Sequence, residues 1–257
     1  MGPGELVRAH RVRRRLSQLE LAGEAGVSTR HLSYVETGRS RPGRAVLAAL
    51  ARALHLPPRE ANRLMRAAGE RPLHAERGLD GRASAPLRAA LDRMVAGHMP
   101  YPAIVTDHAW NPVRANPAAG AFTARLAAAA RPPPASGNLL EWLFAADGLR
   151  PLVANWPAVG PLLLDRVRQE AVRYPDLDAL AARLQALAPA AATAPRLDPD
   201  DAVLPLHLVV EGRDLRLFSI LAAFGSALDA HVAGLRIEYF FPYDETTRTW
   251  LEAVAGD

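Results

Sequence analysis

Between Leu16 and Pro42 the chain reads LSQLELAGEAGVSTRHLSYVETGRSRP, and its hydroxyl, amide and guanidinium groups are spaced for binding rather than for catalysis. Ser17 followed by Glu20 is a capping box, in which the hydroxyl takes an orphan amide of the first turn and the carboxylate reaches back. Leu19, Leu21, Ala22 and Ala25 continue at helical spacing to Gly26-Val27, and Ser28 caps a second short helix that turns Leu32 and Val35 inward. This is the pattern of a helix-turn-helix. Only a short turn lets one helix brace across a nucleic-acid backbone while the N-terminal half of the next enters the major groove. Thr29, Arg30, Ser33 and Tyr34 fall on the exposed face of that second helix. A guanidinium at Arg30 can fork onto guanine, Thr29 or Ser33 can meet a base edge or a thymine methyl, and Tyr34 can touch the backbone. Arg39, Arg41 and Arg44 follow as a cluster suited to phosphate.

These groups need a scaffold, and helical periodicity supplies it from Gly4 to Ala68, broken at Arg15-Leu16, Gly26-Val27, Gly38 to Gly43 and Leu56-Pro57. The spacing predicts five short helices. Charge follows the same division. Residues 1–77 hold fifteen Arg against seven Glu, an excess of eight positive charges, whereas residues 78–257 hold sixteen Arg against twenty acids, an excess of four negative ones. A basic first third on a mildly acidic remainder implies an anion-binding head, for which nucleic acid is the commonest partner. All 31 basic residues are Arg; we read this as the nucleotide composition of the source genome, because solvent charge alone gives no reason to avoid Lys.

The five-helix pattern, with Ser17-Gln18 at a helix start and Glu36-Thr37-Gly38 after the second helix of the pair, resembles the phage-repressor-like (Xre) family of helix-turn-helix domains. The resemblance implies an all-α domain over residues 1–77 that binds double-stranded operator DNA. It gives Gln18 a hydrogen bond to phosphate, assisted by the positive end of its helix. It also implies an internal ion pair between Arg11 and Glu36, tying the first helix to the end of the recognition helix. The family usually has Gly where Arg15 stands, so a strained or differently shaped turn is expected there. His10, one turn from Leu6 on the inward face, is read as a packed residue.

Enzyme chemistry finds little support. The eight His are scattered without HExxH or HxH, GxSxG and GxGxxG are missing, and GxxxxGK is impossible without Lys. The lack of Cys excludes disulfide frameworks, zinc fingers, thiolate catalysis and iron-sulfur ligation, and disfavours secretion. No catalytic residue, metal site or cofactor is expected. No apolar run approaches the 18 or so residues of a membrane span, and Met1 to Arg15 carries Arg where a signal peptide needs its apolar stretch. A soluble cytoplasmic protein without membrane partners is expected. The 49% hydrophobic content suffices for a core, but 51 of those residues are Ala, so Leu, Val and the aromatics must do most of the packing.

Residues 69–84 are rich in Gly, Pro, Arg and Glu and read as a linker, followed by a helix over Pro86 to His98. The period then changes. Ala103 to Val105 and Val113 to Ala115 read as two short strands about a turn, and Asn116-Pro117 opens a helix with Asn as cap. Helical spacing resumes over Leu139 to Phe144, Leu149 to Leu164 and Leu177 to Leu187, interrupted by Pro132-Pro133-Pro134 and followed by an Ala/Pro-rich stretch, Ala188 to Pro199, both read as mobile loops. Val203 to Val210 and Leu215 to Phe224 flank Glu211-Gly212-Arg213-Asp214, a hairpin signal, and Leu235 to Phe241 reads as a last strand.

The stretches PYPAIVTDHAWNPVRANPAAGAF, NLLEWLFAADGLRPLVANW and FGSALDAHVAGLRIEYFFP resemble the MmyB-like regulators, in which the same head precedes a PAS-like domain. The resemblance implies an α+β PAS-like domain over residues 78–257, with about five antiparallel strands and a helical insertion. It also implies a bound fatty-acid-like or other lipophilic effector between sheet and helices. Core packing explains most of the aromatics; Trp110, Phe122, Trp142, Trp156, Phe218 and Tyr239 are the candidates to wall the ligand. Asn155, in the apolar run LVANWPAV, is a candidate for the polar end, because a buried amide must find partners. Backbone capping at Pro157 is the other way to satisfy it. Arg150 and Arg88 are the nearest basic candidates for an anionic head group. An elongated apolar cavity is expected between the sheet and helices of residues 139–187. A homodimer on a pseudo-palindrome is also expected, since one recognition helix reads too few base pairs for genomic specificity. The alternative is a DNA-binding regulator whose second domain only dimerises or binds another protein.

Overall fold

Each break in the helical periodicity of the first third becomes a turn in the computed structural model, which describes residues 1–79, 81–188, 203–224 and 229–256. Five helices result: α1 (Pro3–Arg13), α2 (Gln18–Ala25), α3 (Thr29–Glu36), α4 (Arg44–Ala53) and α5 (Pro58–Ala67). Both bonds of the Ser17–Glu20 capping box are made, at 2.7 and 3.2 Å, and Ser28 Oγ accepts from the His31 amide at 3.1 Å. Gly26 closes α2 in the left-handed region. Leu6, Val7, Leu21, Leu32, Leu47, Leu50, Leu64 and Met65 turn inward from all five helices to form one core.

Two backbone features fix how α1 meets its neighbours. At Gly4 an added Cβ would lie 1.9 Å from the Val35 carbonyl oxygen, so only glycine allows α1 and α3 to approach this closely. Arg15 has φ +57°, so the turn after α1 places a side-chain-bearing residue in the left-handed region that favours glycine. Arg11 forks onto Glu36 at 2.6 and 2.8 Å and also donates to the Leu16 carbonyl at 2.8 Å. His10 is buried against Glu60, Nε2 to Oε2 3.3 Å.

The chain divides into two compact units. Among described residues the first takes the chain up to 81 together with 170–175 and 229–233, and the second takes the rest. Within the first, Asn62, fully buried, accepts from the Leu73 and His74 amides and donates to the His74 carbonyl and Glu76, so the segment after α5 is bound down. The same segment bridges Ala75 to Asp229.

The second unit holds α6 (Ala85–Ala96), β1 (Ala103–Thr106), β2 (Pro112–Ala115), α7 (Pro117–Ala129), α8 (Leu139–Phe144), most of α9 (Trp156–Ala171), α10 (Leu177–Leu187), β3 (Leu206–Val210), β4 (Arg213–Ala223), β5 (Arg236–Pro242) and α11 (Glu245–Gly256). The strands form one antiparallel sheet in the order β2-β1-β5-β4-β3. Asn116, buried, locks three elements. Its Oδ1 accepts from the Ala119 amide at the start of α7 and from Ala103 of β1, while its Nδ2 donates to the carbonyls of Val95 and Tyr101. In the hairpin, Glu211 and Gly212 both take positive φ, as a two-residue turn between right-twisted strands requires.

Two expectations need correction. Leu149 to Leu164 is not one helix. Arg150–Leu152 is a single 3-10 turn, and Val153 then runs against Leu208 as a strand bridge, with the Ala154 amide donating to the His207 carbonyl at 2.8 Å. Pro151 and Pro157 break the helical amide ladder on either side. The last helix, α11, was not anticipated. Its signal is Asp244, whose carboxylate accepts from both the amide and the hydroxyl of Thr247, followed by Trp250, Leu251 and Val254 at helical spacing. The Ala/Pro-rich stretch lies, from residue 189 to 199, outside the described residues.

The register assigns every strand side chain to one of two faces. Phe240 lies 6.4 Å, ring to ring, from Phe122 of α7, which stands edge-on to Trp250 of α11 at 6.1 Å. The face that carries Phe240 also carries Arg236, Glu238, Leu215, Leu217, Ser219, Leu221, Leu208, Val210 and Ile104, and we call it the inner face because α7 packs on it through Phe122; Ala103, Val105 and Ile237 are buried on the other. On the outer face Phe218 stacks on Phe241 at 5.3 Å, and the His98 ring stands edge-on to Tyr239 and Phe241.

Candidate functional site

Because α3 buries Leu32, Val35 and Glu36, residues 29, 30, 33 and 34 share the opposite side of a short amphipathic helix. Thr29, Ser33 and Tyr34 are half-exposed and Arg30 is exposed. Arg30 and Tyr34, one turn apart, are coupled: the guanidinium lies 5.5 Å over the ring centre and Nε donates to the phenolic oxygen at 3.1 Å. The Tyr34 carbonyl accepts from the amides of Arg39 and Ser40, which turns the chain off the helix into the basic loop. Arg39 and Arg41 project from that loop, both exposed.

Two other candidates are otherwise engaged. Gln18, the first residue of α2, donates through Nε2 to Glu36 at 2.8 Å. The carboxylate only accepts, which fixes the amide's orientation and leaves its second N–H and its oxygen for another partner. Arg44 opens α4, but its guanidinium is hydrogen-bonded to the Arg71 and Pro72 carbonyls and lies 4.0 Å from Glu70. It holds that segment down and does not extend the Arg39–Arg41 cluster. Burial alone would raise the Glu36 carboxyl; the hydrogen bonds from Arg11 and Gln18, with the Arg11 charge, outweigh it and hold the group below the usual Glu range.

In the second unit the candidates scatter. Asn155 donates to the Pro205 carbonyl at 2.7 Å and accepts from the His207 amide at 3.0 Å. Both ends of the amide are thus used to dock the chain before α9 onto β3, and the reason for reading Asn155 as the polar end of a ligand site falls away. Arg150 donates to the Leu187 carbonyl at the end of α10, and Arg88 lies half-buried on α6. Phe122 is core, as shown by its contacts with Phe240 and Trp250. Trp142 is buried and donates to the Arg131 carbonyl at 2.8 Å; Trp156 stands edge-on to Phe144 at 4.8 Å and covers Gly160. Phe218 and Tyr239 occupy the outer face, because strand side chains alternate and their inward neighbours are Leu217, Ser219, Glu238 and Phe240.

Trp110 meets charged groups. Buried, with φ +60°, it has the guanidinium carbons of Arg236 (β5) and Arg166 (α9) at 5.3 and 6.0 Å from its ring centre. Both cations act on Glu238, which shares the inner face with Arg236, and Ser219 donates to that carboxyl at 2.8 Å. Sequence reasoning passed over this cluster. Its signal was Arg236-Ile237-Glu238, two charges at strand spacing inside an apolar strand.

The model of the MmyB-like transcription regulator ligand binding domain matches residues 87–254, more than half of the chain. The chain belongs to the MmyB-like transcription regulators. A helix-turn-helix domain model matches residues 4–64, which takes in α2 to α4 and most of α1 and α5. No curated protein matches the chain significantly. The regulator therefore combines a DNA-binding helix-turn-helix domain with a ligand-binding domain, and among its described residues no helix is long and apolar enough to cross a membrane.

Proposed function

We propose that this regulator reads operator DNA as a homodimer and that its second domain senses a fatty-acid-like or other lipophilic small molecule. The DNA half of the reading is carried by the face of α3. Thr29, Arg30, Ser33 and Tyr34 lie together there beside the exposed Arg39 and Arg41, so base-reading and phosphate-binding groups share one surface. In this reading Gln18 adds its remaining N–H to a phosphate. Two copies on a pseudo-palindrome supply the specificity that one helix lacks. The protein acts in the cytoplasm, where its operator is, by binding and not by catalysis.

An effector can shift DNA affinity only by binding two conformations unequally. Titration of the full chain with C12 to C16 fatty acids, and of operator DNA with and without them, tests the reading. A change in operator affinity on saturation is expected. Binding that leaves DNA affinity unchanged would reduce the second domain to an interaction module. One observation favours that second reading: Ile220 and Val209 stand 52% and 39% exposed on the outer face of the sheet.

A further inference from the structure

Arg30 is exposed on α3, yet its guanidinium is held by a neighbour. Tyr34, one helical turn further on, is half-buried and stands on a fixed piece of backbone. The next two residues, Val35 and Glu36, are buried, and the Tyr34 carbonyl accepts from the amides of Arg39 and Ser40 at 2.8 and 3.1 Å. Against the phenol lies Arg30, its guanidinium carbon 5.5 Å from the ring centre and its Nε 3.1 Å from the phenolic oxygen. The ring face attracts the cation, and the phenolic oxygen takes one of its N–H donors. An arginine without such a neighbour spreads over many rotamers, and any phosphate in reach competes with the bases for it.

Resting on the reading of α3 as the base-reading helix, we infer that Tyr34 is the positioning residue for Arg30, and that the guanidinium it holds reads a guanine in the operator half-site. A guanidinium grips a pair of acceptors either by its side, through Nε and one terminal nitrogen, or by its end, through both terminal nitrogens. With Nε donated to Tyr34 the side grip is closed. The end remains. In the major groove N7 and O6 of guanine are the adjacent acceptors on one base that this fork matches, whereas adenine puts a donor where O6 stands, thymine offers a single acceptor and cytosine none. Tyr34 thereby acts in readout without touching a base. It fixes the fork before DNA arrives, so less side-chain freedom is lost on binding, and it keeps the fork from turning to phosphate.

Selection of sites from a random duplex library by the full-length protein supplies the half-site. Titration of its single-base-pair variants with wild type, Tyr34→Phe, Arg30→Ala and the double variant then tests the inference. Wild type is expected to require a G·C pair at one position, and 7-deazaguanine there, which lacks the N7 acceptor, should weaken binding about tenfold. Tyr34→Phe keeps the ring and should lower discrimination at that base pair alone by about three- to tenfold, what one hydrogen bond contributes, with the other positions, the scrambled duplex and the melting curve as in wild type. In the Arg30→Ala background the same exchange should change nothing. Full discrimination in Tyr34→Phe would overturn the positioning role, and so would an equal loss on operator and scrambled duplex, which would put the phenol on phosphate. Any base pair other than G·C at the position that Arg30→Ala relaxes would overturn the guanine assignment. If Arg30→Ala relaxes no position, the reading of α3 itself fails, and this inference with it.

Discussion

Gln18 Nε2 donates to Glu36 Oε2 at 2.8 Å, so the residue that opens α2 and the residue that ends α3 are joined through the carboxylate that Arg11 grips from α1. Three helices meet on one buried side chain, Glu36 being 1% and Arg11 12% exposed. Removing the carboxylate leaves a buried guanidinium and an amide N–H without their partner. Glu36→Ala is expected to cost about 3–5 kcal/mol, read as a drop in the first thermal transition of the full chain. An unchanged transition would show that the pair contributes nothing net.

The same pair sets a pH dependence. Glu36 has a folded pKa below its ordinary value, so its contribution is complete above the usual Glu range and is lost as pH falls through the depressed folded value. Stability of wild type minus that of Glu36→Gln, followed by denaturant titration from neutral pH downward, should shrink below about pH 4.5. A difference that grows on acidification would contradict the assignment.

Readout should separate by position. Arg30→Ala is expected to lose ~1–3 kcal/mol on the operator and to relax preference at one or two base pairs. Arg39→Ala should weaken operator and scrambled duplex alike and lower the salt slope by about one. Electrophoretic titration on both duplexes decides this. Equal loss on both for Arg30→Ala would mean that the guanidinium meets phosphate, and that the register of α3 in the groove differs.

Backbone geometry predicts opposite outcomes for two glycine exchanges. Gly4→Ala drives a methyl into the Val35 carbonyl and should destabilise the head by roughly 1–3 kcal/mol. Arg15→Gly removes a left-handed conformation from a residue with a Cβ and should stabilise it by ~1 kcal/mol. Melting curves of the two variants should move to either side of wild type.

Asn155→Ala should behave as a structural lesion. Two backbone groups of β3 and its approach lose partners, at a cost of ~1–3 kcal/mol, while affinity for any amphiphile in the folded protein stays as in wild type. Selective loss of ligand binding at unchanged stability would restore Asn155 as a ligand contact.

Local chemistry was legible in the sequence. Ser17 with Glu20, Ser28, and Asn116 before Pro117 each cap the helix they announce, and Glu211-Gly212 makes the hairpin turn, because these signals act within a few residues. What depended on distant partners was not. Nothing near Asn155 shows that the approach to β3, fifty residues later, satisfies its amide, and Leu149 to Leu164 has helical spacing although its first part is captured by Leu208. The alternation of Phe218 and Tyr239 against Ser219 and Glu238 was visible, but which face α7 would cover depended on Phe122 and Trp250.

Arg30, Arg39 and Arg41, the exposed cations of the proposed recognition surface, carry their charge on guanidinium and not on amine groups. Guanidinium stays protonated wherever a protein stays folded, so counterion release on DNA binding would follow ionic strength and be indifferent to alkaline pH. Acetyl transfer to a side-chain amine, which erases the charge of a lysine-based DNA surface, has no acceptor among these 257 residues.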